Sequence, residues 1–92
     1  MSFEEIKKFI KNRNYFLSEH ADEERTKDKL TIIEIEEAIL SGEVIKERLD
    51  YPRGESRLVS GTSKSGKIVN VVIGIREGKP VIVTVYVPVK SL

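Results

Sequence analysis

The feature that most constrains the fold of this chain is a change of hydrophobic period at Gly42. Before Gly42, apolar residues recur three or four positions apart, which is the spacing of an amphipathic helix. After Gly42 they alternate with polar residues, which is typical of strands that bury one face. Helices followed by a run of strands predict a single α+β domain over residues 1–92, with N-terminal helices packed on a four-stranded antiparallel β-sheet.

Three helices are predicted in the first half of the chain. Two of them begin with a capping box, formed by Ser2 with Glu5 and by Thr31 with Glu34. Gly42 follows the last of these helices, where a glycine in the left-handed conformation is expected to end it. The predicted helices cover about residues 3–13, 19–28 and 32–40.

Four strands are predicted at about residues 44–50, 56–62, 67–76 and 80–88. A three-residue loop at 77–79 would pair Arg76 with Pro80 and place an apolar face under the helices. The other face would bring Asn70 opposite Tyr86, with Thr84 beside them. A two-residue loop would shift the pairing by one residue and mix polar with apolar positions, so the first register is preferred.

The charge is unevenly distributed although the net charge is only +1. Residues 1–50 carry nine basic and thirteen acidic side chains, whereas residues 51–92 carry seven and two. Such a basic half is typical of proteins with a phosphate-bearing partner, although a merely solvated sheet is the alternative. The predicted basic patch consists of Arg53, Arg57, Lys64, Lys67, Arg76, Lys79 and Lys90.

Composition excludes several classes of protein. The chain has no Cys, so disulfides and thiolate chemistry are excluded, and one His with scattered carboxylates predicts no metal or other cofactor. Its charged first residues do not form a signal peptide, and no apolar run reaches the ~20 residues that span a bilayer. A cytoplasmic protein without a membrane partner is expected. The absence of Gln and the abundance of Glu and Lys resemble the bias of hyperthermophile proteins.

Six residues carry the candidate chemistry. A His, an Arg and a Tyr that converge on one sheet surface could act on a phosphodiester, because imidazole or phenol can move a proton while guanidinium neutralises charge on the phosphate. The candidate catalytic residues are His20, Arg25 and Tyr86, and the candidate substrate-binding residues are Arg57, Asn70 and Thr84.

Each candidate also has a structural alternative. His20 can pair with a Glu three or four positions later, and Arg25 with an acid on its own helix. Tyr86 can be a half-buried strand aromatic, and Arg57 a solvated strand residue. Asn70 lies inside a strand to which Asn is poorly suited, so its amide requires either a structural hydrogen bond or a role in a site.

Five short segments follow one another in the chain: LSEHADEER, AILSGEVI, YPRGESRLVSG, KIVNVVIGI and VIVTVYVP. In this order they resemble the domain-of-unknown-function 4258 family from about Tyr15 to Pro88. On this resemblance His20 and Arg25 match a His-Ala-x-x-x-Arg segment and Tyr86 the terminal Tyr, and Arg57 lies in the Leu-Val-x-Gly strand region. Family members commonly have His at the position that Asn70 occupies in this chain. Unlike His, Asn cannot act as an acid or a base.

The resemblance implies a RelE/MqsR-like ribonuclease fold and a toxin whose partner is a small zinc-finger antitoxin protein. The leading hypothesis is therefore a metal-independent endoribonuclease of the mRNA interferase type. The alternatives are a non-catalytic RNA- or protein-binding module with the same fold, which Asn70 and the weak net charge favour, and a structural protein of an unrelated system. The apolar run VIVTVYV must be central in the sheet or covered, so a homodimer is also considered.

Overall fold

A computed structural model describes residues 1–49 and 54–88. The helices are α1 (Phe3–Lys11), α2 (Glu19–Lys27) and α3 (Ile32–Ser41), and the strands are β1 (Phe16–Leu17), β2 (Glu43–Arg48), β3 (Ser56–Thr62), β4 (Ile68–Arg76) and β5 (Lys79–Tyr86). Asp50, predicted to end a strand, and Arg53 and Lys90 of the predicted basic patch lie outside the described residues. Within the described ranges, no helix is long and apolar enough to cross a bilayer.

Both predicted capping boxes are present. The Glu5 N–H donates to Ser2 Oγ at 3.1 Å, and the Glu34 N–H donates to Thr31 Oγ1 at the same distance. The predicted conformation of Gly42 is wrong, because Gly42 is extended, with φ −87° and ψ 180°. Glycine is required at position 42 because a side chain has no room there: a Cβ would lie 2.6 Å from the carbonyl oxygen of Ala38.

The sheet has five strands and is mixed, in the order β1-β5-β4-β3-β2. The prediction of four antiparallel strands is therefore wrong in one respect: β1 adds a fifth strand, parallel to β5, through Phe16 with Val81 and Leu17 with Ile82. The other neighbouring pairs are antiparallel. Two residues are too few to show an alternating pattern, so no strand was predicted at β1.

The β4–β5 hairpin combines two registers. Its turn has two residues, Glu77 and Gly78, both with positive φ, and Arg76 pairs with Lys79 rather than with Pro80. A β-bulge on β5 then shifts the pairing by one residue, so that Asn70 lies opposite Tyr86 as predicted.

The bulge also changes which residue enters the core. The predicted register, with Arg76 opposite Pro80, would place Val83 opposite Ile73 in the core, and this is wrong: Ile82 takes that position and Val83 is exposed.

Within residues 1–49 and 54–88, the helices cover one face of the sheet and the other face is uncovered. The core lies between the layers and is formed by Ile6, Ile10, Ala21, Leu30, Ile35, Ala38, Ile39, Val59, Val69, Val71, Ile73, Ile82 and Val85. We call the uncovered side the open face. From the strand pairing, its residues are Phe16, Glu43, Lys46, Arg48, Ser56, Leu58, Ser60, Thr62, Ile68, Asn70, Val72, Gly74, Arg76, Lys79, Val81, Thr84 and Tyr86.

The outer edge of β5 is covered within the chain. Beyond β1, the Ser18 hydroxyl donates to the carbonyl of Val83 at 3.0 Å. Two carboxylates accept backbone N–H groups further along this edge. Glu24 of α2 accepts from Val85 at 3.2 Å, and Asp28, directly after α2, accepts from Val87 at 3.4 Å. The sequence left two arrangements open for this strand, a central position in the sheet or cover by a partner chain. The structure shows a third: β5 lies next to the edge strand β1, and α2 of the same chain covers the rest of its outer edge.

Candidate functional site

The six candidate residues lie in three separate places. Asn70, Thr84 and Tyr86 are on the open face, His20 and Arg25 are on α2, and Arg57 is on the face covered by the helices. The structure therefore brings together three of the six residues and leaves His20, Arg25 and Arg57 apart from them.

His20 lies beside the outer edge of β5. Its side chain is 65% exposed, and its Nε2 is 3.3 Å from Glu24 Oε1. The same oxygen accepts the N–H of Val85, the residue before Tyr86 in the chain. This is the helical pairing that the sequence offered as the structural alternative for His20.

Arg25 connects α2 to the loop that follows it. Its Nε donates to Asp22 Oδ1 at 2.7 Å, and its Nη1 donates to the carbonyl of Leu30 at 3.2 Å. Because Leu30 is buried, these contacts fix the connection between α2 and α3. The guanidinium group is thus already bound to protein oxygens.

Arg57 is 6% exposed and lies on the helix-covered face. Its Nε is 3.4 Å from Glu47 Oε1, its Nη1 is 3.2 Å from Glu55 Oε2, and its Nη2 donates to the carbonyl of Met1. The Met1 ammonium and then the Arg57 guanidinium lower the pKa of Glu55 below its usual range. These contacts attach the first residue of the chain to β2 and β3, on the opposite side of the sheet from Asn70.

Asn70 and Tyr86 form a polar pair on the open face. The Asn70 Nδ2 donates to the Tyr86 hydroxyl oxygen at 3.3 Å. The Asn70 Oδ1 is covered by protein and accepts no hydrogen bond within the described part of the chain. Ser60 lies opposite Asn70 on the next strand, and Glu43 lies opposite Ser60, so a polar row crosses four strands.

The open face also carries cations and aromatic rings. Phe16 is 39% exposed and Tyr86 is 36% exposed, and Lys79 Nζ lies 5.7 Å from the centre of the Phe16 ring. Among the described residues, none of the cations of this face is in an ion pair. These cations are Lys46, Arg48, Arg76 and Lys79.

The predicted basic patch is divided by the fold. Lys67 Nζ lies 3.2 Å from Glu34 at the turn before β4, so this lysine is paired with α3. The Lys64 backbone N–H donates to Glu37 at 3.0 Å, while its side chain is 89% exposed beside the same helix. The open face also includes Phe16, Lys46 and Arg48, which were not predicted as site residues from the sequence. The alternate spacing of positions 46 and 48 was the available signal for the two cations.

Comparison with known proteins identifies a domain family and nothing more specific. A family model described as a domain of unknown function (DUF4258) matches residues 17–87. No curated protein and no solved structure matches the chain. The matched residues include α2, α3 and the four antiparallel strands, and so all six candidate residues.

Proposed function

The chain belongs to the DUF4258 domain family, and from that premise we propose that it binds single-stranded RNA on the open face of its sheet. One observation carries the proposal: four cations without acidic partners in the described residues share an uncovered sheet surface with two exposed aromatic rings. Lys and Arg neutralise phosphates, and aromatic rings stack on bases, so the combination fits a single strand.

The charge of the two layers supports a polyanionic ligand on this side. The open face carries four cations and one carboxylate, that of Glu43, among its paired strand residues. The helical part, residues 1–42, carries seven basic and ten acidic side chains. A phosphate chain is therefore attracted to the sheet and repelled by the helices.

The positions of the two rings favour a single strand over a duplex. Phe16 pairs with Val81, which lies opposite Gly74, and Tyr86 lies opposite Asn70, four residues away along β4. At about 3.3 Å per residue these two positions are roughly 13 Å apart along the strands, which leaves room for bases between the rings. A broad sheet offers splayed bases a stacking surface, whereas the bases of a duplex are stacked on one another and unavailable.

The test is fluorescence anisotropy with a labelled RNA of about twelve nucleotides at low salt. The variant with Lys46→Gln, Arg76→Gln and Lys79→Gln should bind at least about tenfold more weakly than the wild type. The matched control carries Lys8→Gln, Lys11→Gln and Lys27→Gln, which remove the same charge from the helical layer, and it should bind as the wild type does. No binding by the wild type, or equal loss in both variants, would contradict the proposal.

A second candidate function is a metal-independent endoribonuclease of the toxin type, with a RelE/MqsR-like fold and a small zinc-finger antitoxin as its partner. The observation that favours it is the His20–Glu24 pair, which contacts the backbone of Val85 directly before Tyr86. In this function, one of His20 and Tyr86 removes the proton from a ribose 2′-hydroxyl that attacks the adjacent phosphorus, and the other protonates the 5′-oxygen as the P–O5′ bond breaks, which leaves a 2′,3′-cyclic phosphate. Asn70 and Thr84 would hold the ribose or the phosphate.

Cleavage of RNA in EDTA tests this second function. His20→Ala should lower the rate ~100- to 10,000-fold, and the products of the wild type should end in 2′,3′-cyclic phosphate. Lys27→Ala on the same helix serves as the control and should cleave normally. Absence of cleavage by the wild type, together with RNA binding, would leave the binding function alone.

A further inference from the structure

The amide of Asn70 has one end bound and the other unbound. Its Nδ2 donates to the Tyr86 hydroxyl, while its covered Oδ1 has no donor among the described residues. A covered acceptor without a donor is unfavourable and rare in folded proteins. A ligand that supplies a donor to this oxygen therefore gains more than it would from an acceptor that is already satisfied.

Tyr86 is placed to control access to this amide. The open-face neighbours of Asn70 are Ser60 and Tyr86 on the adjacent strands and Ile68 and Val72 along β4. Tyr86 is the largest of them, it is the last residue of β5, and it is 36% exposed. Rotation of its ring toward solvent would break the hydrogen bond with Asn70 Nδ2 and, because Tyr86 is the largest of these neighbours, would give a ligand room beside the amide.

We infer that Tyr86 and Asn70 form a base-recognition site, in which Tyr86 stacks on one base of a bound RNA and Asn70 Oδ1 accepts a hydrogen bond from an exocyclic amino group. The inference rests on the proposed RNA-binding function of the open face. It makes Asn70 the residue that determines base preference, whereas the cations of this face bind phosphates of any sequence.

The preferred bases follow from the donor and acceptor pattern of the amide. Adenine and cytosine present an amino donor beside a ring-nitrogen acceptor, which matches Oδ1 and Nδ2 of Asn70. In the same placement on Tyr86, uracil presents the carbonyl O4 to Oδ1, and its N3–H donor lies one position further along the base edge. Uracil must therefore shift on the ring to bring a donor to Oδ1, and a covered, unpaired acceptor favours the bases that pair with it without this shift.

The experiment compares three labelled RNAs by fluorescence anisotropy. They are a uridine strand of about twelve nucleotides and two strands whose central bases are replaced by adenine or by cytosine. The wild type should bind the substituted strands about tenfold more tightly than the uridine strand, as expected for one additional hydrogen bond. Asn70→Leu should bring this ratio close to one.

Two further variants separate the roles. Asn14→Leu makes the same chemical change outside the sheet and should keep the preference. Tyr86→Leu should weaken binding to all three strands, because it removes the stacking ring. Circular dichroism confirms that each variant is folded.

The outcomes distinguish this inference from the function on which it rests. Equal binding of all three strands by the wild type, or a preference that survives in Asn70→Leu, would overturn the base-recognition site and leave RNA binding intact. Failure of the wild type to bind any strand would overturn RNA binding itself.

Discussion

Arg57 is a buried cation whose contacts all lie within the molecule, on Glu47, Glu55 and Met1. Arg57→Met keeps the apolar stem of the side chain but removes the cation from Glu47, the donor from the Met1 carbonyl, and one of the two cations beside Glu55, which keeps the Met1 ammonium. We expect a loss of about 2–4 kcal/mol in the free energy of unfolding, because three contacts of a buried charged side chain are lost together. Urea unfolding measures this loss, and anisotropy should show unchanged RNA affinity in the folded variant. A stable variant that no longer binds RNA would place Arg57 in the binding surface instead.

Glu34 gives the domain a dependence on pH. Its Oε2 accepts the Ser65 hydroxyl at 2.6 Å, and its Oε1 accepts the N–H of Thr31 at 2.9 Å. These hydrogen bonds, together with Lys67, lower the pKa of Glu34 to about 2. The ionised form therefore stabilises the folded state above the pKa of the unfolded chain, 4.5, and this contribution is lost as the pH falls toward 2.

Glu34→Gln tests this dependence. The wild type should be more stable than the variant at pH 7, and the difference should close progressively between about pH 4.5 and pH 2. Urea midpoints measured across this range provide the comparison. Glu4→Gln changes an exposed carboxylate whose only ion pair in the described residues is a 3.7 Å contact with Lys7, and it should show no such convergence.

The faces of the strand residues were partly predictable from the sequence. Alternation together with the hairpin register predicted that Asn70 and Tyr86 share a face, and the structure shows them hydrogen-bonded. Arg57 lies two residues before the buried Val59, so the same alternation contained the evidence for its burial. The placement of His20 and Arg25 could not be predicted, because α2 buries only Ala21 and has no apolar stripe to orient it.

At the scale of elements, α3 and β3 are in backbone contact. A Cβ on Gly61 would lie 1.8 Å from the carbonyl oxygen of Ala38, so Gly61→Ala requires the two elements to separate. We expect a loss of about 3 kcal/mol or more in the free energy of unfolding, measured by urea denaturation. Gly74→Ala on β4 is the matched control, because its Cβ would meet Val81 at 3.4 Å, an ordinary contact. Equal stability of the two variants would contradict this close packing.

The contact between α2 and β5 protects a sheet edge. Glu24→Ala with Asp28→Ala leaves the N–H groups of Val85 and Val87 without acceptors. We expect a loss of about 2 kcal/mol and self-association through this edge, visible by sedimentation velocity. The pair Glu24→Gln with Asp28→Asn keeps the acceptor oxygens and should remain at the association state of the wild type. A double Ala variant that does not associate would show that the edge is protected by other means.

The elements differ in how far their sequences determine them. Each capping box is set by two side chains three residues apart, and both were predicted. The hairpin required two departures that compensate each other, a two-residue turn at Glu77 and Gly78 and a bulge on β5. A two-residue turn without a bulge would mix polar and apolar residues on each face, so the alternation of the sequence favoured a three-residue loop. The bulge on β5 restores the segregation of the two faces, and nothing in the alternation predicted it.

For the molecule as a whole, the basic sheet surface opposite acidic helices predicts a defined salt dependence. If each of the four open-face cations neutralises one RNA phosphate, the logarithm of the binding constant should fall with the logarithm of salt concentration with a slope of about −3. The variant that lacks Lys46, Arg76 and Lys79 should retain a slope of about −0.7. Titrations at several salt concentrations measure both slopes, and identical slopes would exclude phosphate contacts by these residues.

The separation of the open face from the core also makes the domain suitable for protein engineering. Residues such as Lys46, Leu58 and Thr84 alternate with the core residues of their strands, so a library varied at these positions leaves the packing beneath the helices untouched. The core between the helices and the sheet would keep the domain stable while variants with different open-face residues are selected. The same independence allows homologous chains to diverge in ligand while they keep one architecture.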